Sequence, residues 1–157
     1  MPISDYLKSV RSKVGSELLL MPAVGAVIHN DEGQMLIVYT TDEMWGTPGG
    51  GVDPGEQPAD AVVREVFEEV GLTVVPERVL STHLHHVAYP NGDSVDYTVT
   101  VFRCHALDDE LTAHDGEVVQ WEWVDPDEAV RRGLVIDPTV LRPNYDGPTT
   151  FRMSFPS

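Results

Sequence analysis

Basic residues are scarce in this chain, which has ten lysines and arginines against 26 aspartates and glutamates. The formal charge at pH 7 is therefore −16. Such a surface repels nucleic acids and anionic lipids. We therefore exclude a nucleic acid polymer bound along a basic groove, and binding to a membrane surface. A small anionic substrate is compatible with this charge if cations accompany it.

Cysteine is almost absent, since Cys104 is the single one. An internal disulfide and a zinc site built from several cysteines are excluded, and a reducing, cytoplasmic location is expected. Long apolar runs are also missing. The longest, residues 18–28, has 11 residues interrupted by Pro22 and Gly25, which is too short to span a membrane. The start of the chain lacks the apolar core of a signal peptide.

The remaining pattern predicts one α/β domain covering residues 1–157, with strands and helices layered as a sandwich. Residues 45–56 are predicted to form a loop, because three consecutive glycines and two prolines disfavour regular structure. For residues 134–157 the pattern leaves open an ordered arm or a frayed tail. Periodicity predicts helices at 3–14, 58–70 and 125–133, and strands at 23–29, 34–40, 73–75, 79–89, 95–102 and 118–124.

The stretch "REVFEEVGL" (64–72) places three carboxylates close together on the second predicted helix. At about 100° per residue, Glu65, Glu68 and Glu69 fall within roughly one third of the helix circumference. One interpretation is a solvated acidic face. The other is a site for a divalent cation, because hard cations bind carboxylate oxygens and magnesium also shares substrate phosphates.

The residues before this helix favour the second interpretation. Residues 50–72 read "GGVDPGEQPADAVVREVFEEVGL". This segment resembles the signature of the Nudix hydrolases at every fixed position. The matched residues are Gly50, Glu56, Arg64, Glu65, Glu68, Glu69 and Gly71, with aliphatic Val66 and Leu72.

The resemblance implies a Nudix-like α-β-α sandwich with a central mixed β-sheet, in which residues 50–72 form a loop, a helix and a loop. It also implies Mg²⁺- or Mn²⁺-dependent attack of water on the pyrophosphate of a nucleoside diphosphate linked to another group. By the same resemblance, Glu65, Glu68, Glu69 and the backbone carbonyl of Gly49 would bind the metal. Glu56 and Arg64 would hold the helix and the loop together.

Nudix relatives often supply a further acid from a distant loop that precedes an aromatic-rich strand. Here that loop offers Asp115 and Glu117. We prefer Glu117, which lies six positions before Trp123, although a polar loop in so acidic a chain carries such residues anyway. Whether Glu65 or Glu117 is the general base is left open, as is the number of metal ions.

The sequence says less about the substrate. Trp45 either stacks on a base or caps the core, and Tyr89 is either a substrate contact or part of a turn. His83 and His85 share a strand face, but no third zinc ligand is evident, and surface positions are expected for both.

An ADP-ribose or nucleotide-sugar type of substrate is favoured. The alternatives are a house-cleaning pyrophosphatase for modified nucleoside triphosphates and a non-catalytic nucleotide-sensing Nudix module. A sensor would be expected to lose signature glutamates, and all are present. A homodimer is compatible with the sequence.

Overall fold

The computed structural model describes residues 3–154 of the chain. Its helices are α1 (Asp5–Val14), α2 (Pro58–Val70) and α3 (Pro126–Arg131), with a 3₁₀ turn at Pro138–Leu141. Its strands are β1 (Leu19–Ile28), β2 (Met35–Thr40), β3 (Trp45–Gly46), β4 (Gly49–Gly51), β5 (Val74–Ala88), β6 (Ser94–Ala106), β7 (Val118–Val124) and β8 (Thr150–Phe151). The mixed α/β class with a central mixed sheet confirms the prediction.

The strands form two sheets. The larger sheet has the order β4-β1-β6-β5-β8 and is mixed, because β1 pairs parallel with β6 whereas β5 pairs antiparallel with β6. The smaller sheet, β3-β2-β7, is antiparallel. The turn between β1 and β2 is closed by a single bridge between His29 and Met35, after which the two strands separate into different sheets.

Successive residues of β1 face two different core clusters, as the period of two along a strand requires. Ala26 and Ile28 pack in the cluster that includes the apolar face of α2, whereas Val27 packs in the cluster that includes α3. All three side chains are fully buried. The larger sheet is therefore covered on both faces, and this fixes α2 against β1 and β4.

The prediction of a loop over residues 45–56 was wrong in part. Gly49–Gly51 forms β4 and pairs antiparallel with β1. The two backbones are so close that a Cβ on Gly49 would lie 2.1 Å from the carbonyl oxygen of Val24. Here glycine permits strand pairing instead of preventing it. The strands predicted at 73–75 and 79–89 also join into one, β5, whose pairing register with β6 shifts between Pro76 and Arg78 and again between Val79 and Ser81.

The C-terminal region is an ordered arm as far as residue 154, while residues 155–157 lie outside the described part of the chain. Val140 and Leu141 are buried in the core. Arg103 donates a hydrogen bond to the carbonyl of Tyr145 at 2.7 Å. Between residues 3 and 154, no helix has the length and apolar character needed to cross a membrane.

Candidate active site

Helix α2 positions the signature glutamates. It begins with Pro58 in its first turn, where the missing N–H is not needed, and ends at Gly71, whose φ of 76° is left-handed. Glu65 and Glu69, one turn apart, are only 3% and 4% exposed. Burial raises the pKa of Glu65. The hydrogen bond and the charge of Arg64 reduce this rise, and repulsion from Glu68 adds to it. Two nearly inaccessible carboxylates on one helix are costly unless they have partners.

Arg64 is the partner on one side of the helix. Its guanidinium donates two hydrogen bonds to Glu56, at 2.7 and 2.9 Å. It also donates to Glu65 at 2.9 Å, to Glu68 at 3.2 Å and to the carbonyl of Gly51 at 3.0 Å. The hydrogen bonds from Arg64 lower the pKa of Glu56. Arg64 therefore connects the loop to the helix through hydrogen bonds to both.

The other acids meet on the opposite side. One carboxylate oxygen from each of Glu69, Asp115 and Glu117 lies within 4.8 Å of the other two; we call these residues the acid cluster. Glu69 accepts a hydrogen bond from the N–H of Gly49 at 2.9 Å. Burial raises the pKa of Glu69 to about 8, with repulsion from Glu65 and Asp115 contributing. Three oxygen donors at this spacing fit a hard divalent cation such as Mg²⁺ or Mn²⁺.

The loop that carries Asp115 and Glu117 is anchored to the end of α2. The N–H of Thr112 donates to the carbonyl of Val70 at 2.8 Å. A Cβ on Gly71 would lie 2.3 Å from the hydroxyl oxygen of Thr112, so glycine is needed for this approach. The N–H of Glu117 donates to the Asp115 carboxylate at 2.9 Å, which fixes the turn between the two acids.

A cavity of about 520 Å³ opens between the two sheets, with Glu69 and Glu117 among its lining residues. Its apolar part includes Val99, Val101 and Ile136. A second cavity of about 420 Å³ is lined by Asp115, by the Arg64 side of the helix and by the first turn of α1. The acid cluster therefore borders both cavities.

Both predicted substrate contacts line the larger cavity. The ring of Trp45 lies 5.2 Å from that of Tyr39, and the guanidinium of Arg132 lies 4.7 Å from its centroid. The hydroxyl of Tyr89 is 2.8 Å from that of Tyr97. Trp45 therefore forms part of the wall of the larger cavity, and its ring is contacted by Tyr39 and by Arg132.

The structure divides the predicted metal ligands and the predicted catalytic loop acid, Glu117, into two groups. Glu69 and Glu117 are together in the acid cluster, with Gly49 bonded to Glu69 through its N–H. Glu65 and Glu68 contact Arg64 and line the second cavity. Asp115, which the sequence made the weaker of two loop candidates, is a full member of the cluster.

The expected surface position of the histidines was wrong for His83, which is 9% exposed and lines the larger cavity with His85. The reason is that β5 spans 15 residues, and its central part faces the smaller sheet across the cavity. Alternation within β5 shows that the two side chains share a face, but it does not show what covers that face.

Comparison with known proteins places this geometry in a family context. A family model described as NUDIX domain matches residues 19–143. The RNA pyrophosphohydrolase of Gluconobacter oxydans is 30% identical over 131 residues, covering 72% of this chain and 76% of that protein. The RNA pyrophosphohydrolase of Photobacterium profundum is 42% identical over 69 residues, covering 43% of this chain and 40% of that protein. The chain thus spans about two fifths of this second relative.

Solved structures agree on the fold. The MutT protein from Methanosarcina mazei Go1 superposes with a TM-score of 0.60 at 26% identity, over 71% of this chain and 81% of that one. The ADP-ribose pyrophosphatase from Streptococcus suis 89-1591 superposes with a TM-score of 0.55 at 27% identity, over 68% of this chain and 75% of that one.

Proposed function

The chain belongs to the Nudix hydrolases, and from this premise we propose that it hydrolyses the pyrophosphate bond of a nucleoside diphosphate linked to a second group, of the ADP-ribose or nucleotide-sugar type. The supporting observation is the acid cluster bordering two cavities. The larger, at about 520 Å³, is within the usual range for small-molecule sites. A substrate with one group on each side of its pyrophosphate matches this arrangement.

Glu69, Asp115 and Glu117 would hold Mg²⁺ or Mn²⁺, with Glu65 and Glu68 as further carboxylates on the Arg64 side. When bound, such an ion offsets the charge of the pyrophosphate and lowers the pKa of a bound water. The backbone carbonyl of Gly49 stays a predicted ligand.

We propose Glu117 as the general base that removes a proton from the attacking water. Glu117 lines the larger cavity together with Glu69, whereas Glu65 lines the second cavity on the Arg64 side of the helix. A general base must lie within hydrogen-bond reach of the attacking water, and Glu117 is the loop acid of the cluster that opens into the larger cavity. Arg64 and Glu56 would act by holding α2 against β4, since Arg64 donates hydrogen bonds to Glu56 and to the carbonyl of Gly51.

Removal of pyrophosphate from RNA 5′ ends is the second candidate, since two similar proteins are named RNA pyrophosphohydrolases. The formal charge of −16 argues against a long RNA, which would have to approach with few basic residues to receive it. Hydrolysis of modified nucleoside triphosphates is a third candidate. A nucleotide sensor is disfavoured because every signature glutamate is present.

A substrate panel distinguishes these candidates. ADP-ribose, nucleotide sugars, modified nucleoside triphosphates and a 5′-triphosphorylated RNA oligonucleotide would each be incubated with Mg²⁺, with Mn²⁺ and with EDTA. We expect metal-dependent release of a nucleoside monophosphate from one of the first two classes. Glu69→Gln is the matched inactive control. Preferential turnover of RNA or of triphosphates would overturn the substrate class, and full turnover in EDTA would overturn the metal assignment.

We further propose that residues 1–157 act as one domain in the cytoplasm. Whether the chain is a monomer or a homodimer would be measured by light scattering on the same sample.

A further inference from the structure

His83 is a nearly inaccessible polar side chain without a hydrogen bond. It is 9% exposed, and its imidazole makes no hydrogen bond to any of residues 3–154. His85, two positions further along β5, is half-buried and equally without a hydrogen bond to the described residues. The ring nitrogens of His83 and His85 are not among the fully enclosed atoms without a partner, so a water molecule or a ligand in the larger cavity can bond to them.

Other histidines show that this is unusual within the chain. His29 lies 2.7 Å from the carbonyl of Leu141, and His86 lies 2.6 Å from the carboxylate of Asp96. His83 and His85 line the larger cavity instead. Burial lowers the pKa of both imidazoles, so each is neutral near pH 7 and offers one hydrogen-bond donor and one acceptor.

The charges around this cavity decide which part of a nucleotide it can take. Four carboxylates line it, at Asp42, Glu43, Glu69 and Glu117. Arg132 is the one arginine or lysine among its described lining residues, and it is already paired with Glu122 at 2.9 Å and with Glu128 at 3.0 Å. Arg152 lies close enough to lower the pKa of His83, but it is not a lining residue, and its guanidinium donates a hydrogen bond to the carbonyl of Val135. A phosphate therefore finds no arginine or lysine without a carboxylate partner among the described lining residues.

An uncharged, flat group suits the cavity better. Trp45, Val99 and Val101 provide an apolar surface, and the two imidazoles provide the only neutral ring nitrogens among the described lining side chains apart from that of Trp45. A nucleobase combines a flat apolar face with a hydrogen-bonding edge, so it satisfies both kinds of surface.

Resting on the proposed function, we propose that His83 and His85 recognise the nucleobase of the substrate by hydrogen bonds to its edge, and so determine base specificity. The pyrophosphate then lies toward Glu69 and Glu117, and the second group lies toward the cavity beside α1.

Binding of uncharged nucleosides tests this without any hydrolysis. Adenosine, guanosine, cytidine and uridine would be titrated into the full chain in EDTA by calorimetry. We expect one of them to bind preferentially. His83→Phe and His85→Phe keep a ring but remove its nitrogens, and each should weaken that binding about tenfold, the effect of one lost hydrogen bond. His86→Phe, on the opposite face of the same strand, is the matched control and should bind like the wild type.

Side-chain ¹⁵N NMR of the wild-type protein gives a second measurement that does not depend on how the variants fold. Addition of the preferred nucleoside should shift the imidazole nitrogens of His83 and His85 and leave those of His86 in place. Unchanged affinity in both phenylalanine variants, or unshifted His83 and His85 signals, would overturn the assignment.

The assignment of the two histidines and the proposed hydrolase function can fail independently, and the measurements tell the two failures apart. If no nucleoside binds while ADP-ribose or a nucleotide sugar is still hydrolysed, the histidine assignment is wrong and the hydrolase stands. If a nucleoside binds through the histidines but nothing is hydrolysed, the recognition site stands and the proposed reaction is wrong.

Discussion

The ring of Phe67 stacks on the imidazole of His114, with centroids 5.6 Å apart and planes inclined by 18°. Phe67 is 52% exposed on α2, two positions before Glu69, and His114 immediately precedes Asp115. The stack therefore joins the helix and the loop that together form the acid cluster. An aromatic pair of this kind contributes about 0.5–1.5 kcal/mol beyond the area it buries.

We expect Phe67→Ala to leave the fold intact and to raise the Mg²⁺ concentration required for half-maximal turnover, because the acidic loop loses one of its anchors. Phe67→Tyr keeps a stacking ring and should restore the wild-type requirement. Leu20→Ala, which also truncates an exposed apolar side chain, is the control. An unchanged Mg²⁺ requirement in Phe67→Ala would show that the loop is held without the stack.

Glu117→Gln should lower kcat by about two decades with little change in KM, as expected when a general base is removed. Asp115→Asn should instead weaken metal binding, because it removes one of three clustered oxygen charges. Kinetics at several Mg²⁺ concentrations separate the two effects. The reverse pattern, with Glu117→Gln rescued by excess metal and Asp115→Asn not rescued, would assign the base to Asp115.

The stability of the metal-free protein should depend on pH through Glu69. Burial raises its pKa from 4.5 to about 8, so between these pH values the unfolded chain loses a proton that the folded protein retains. The free energy of unfolding from this group therefore falls as pH rises through that range and levels off above it. Glu69→Gln lacks this dependence.

Thermal unfolding in EDTA from pH 4 to 9 measures the effect. The advantage in Tm of Glu69→Gln over the wild type should be absent near pH 4 and largest above pH 8. Saturating Mg²⁺ should reverse the order at neutral pH, because the metal binds the folded wild type and stabilises it. A difference in Tm that is constant across the pH range would contradict the assigned cause.

Arg64→Lys should destabilise the protein by about 1–3 kcal/mol, because an ammonium cannot reproduce the two parallel hydrogen bonds to Glu56 while also reaching Glu65. Urea unfolding gives the free energy. Arg142→Lys is a matched control, since Arg142 makes an exposed ion pair with Asp127. Equal stability of Arg64→Lys and the wild type would mean that a positive charge at position 64 is sufficient and that the geometry of the guanidinium does not stabilise the protein.

Local pattern was enough to predict α2, because a helix's first and last residues and its apolar periodicity lie within its own sequence. The roles of Arg64 and Glu117 were inferred from the resemblance to the Nudix signature and its relatives, and they stay predictions. That Asp115 also reaches Glu69 depends on how the loop folds back over Gly71, a contact between segments distant in sequence. His83 shows the same limit, since its neighbours are distant in sequence: it pairs with Val99 of β6, and Arg152 of the C-terminal arm lies close to it.

Strand β4 could not be predicted from the sequence, because glycine is generally disfavoured in β-strands. What decides the case at Gly49 is the space that the neighbouring strand β1 leaves. Strand propensity is an average over many structural surroundings, whereas the conformation at Gly49 is decided by its one contact with β1.

The backbone amide of Gly49 donates a hydrogen bond to Glu69, so the NMR signal of this amide reports on the state of the acid cluster. An amide proton directed at a carboxylate resonates at a different frequency when that carboxylate gains a proton or a metal. The chain has 13 glycines, so selective ¹⁵N-glycine labelling gives a spectrum with few, resolvable signals. Cation occupancy of the intact protein can therefore be read in real time, without substrate, substitution or attached dye.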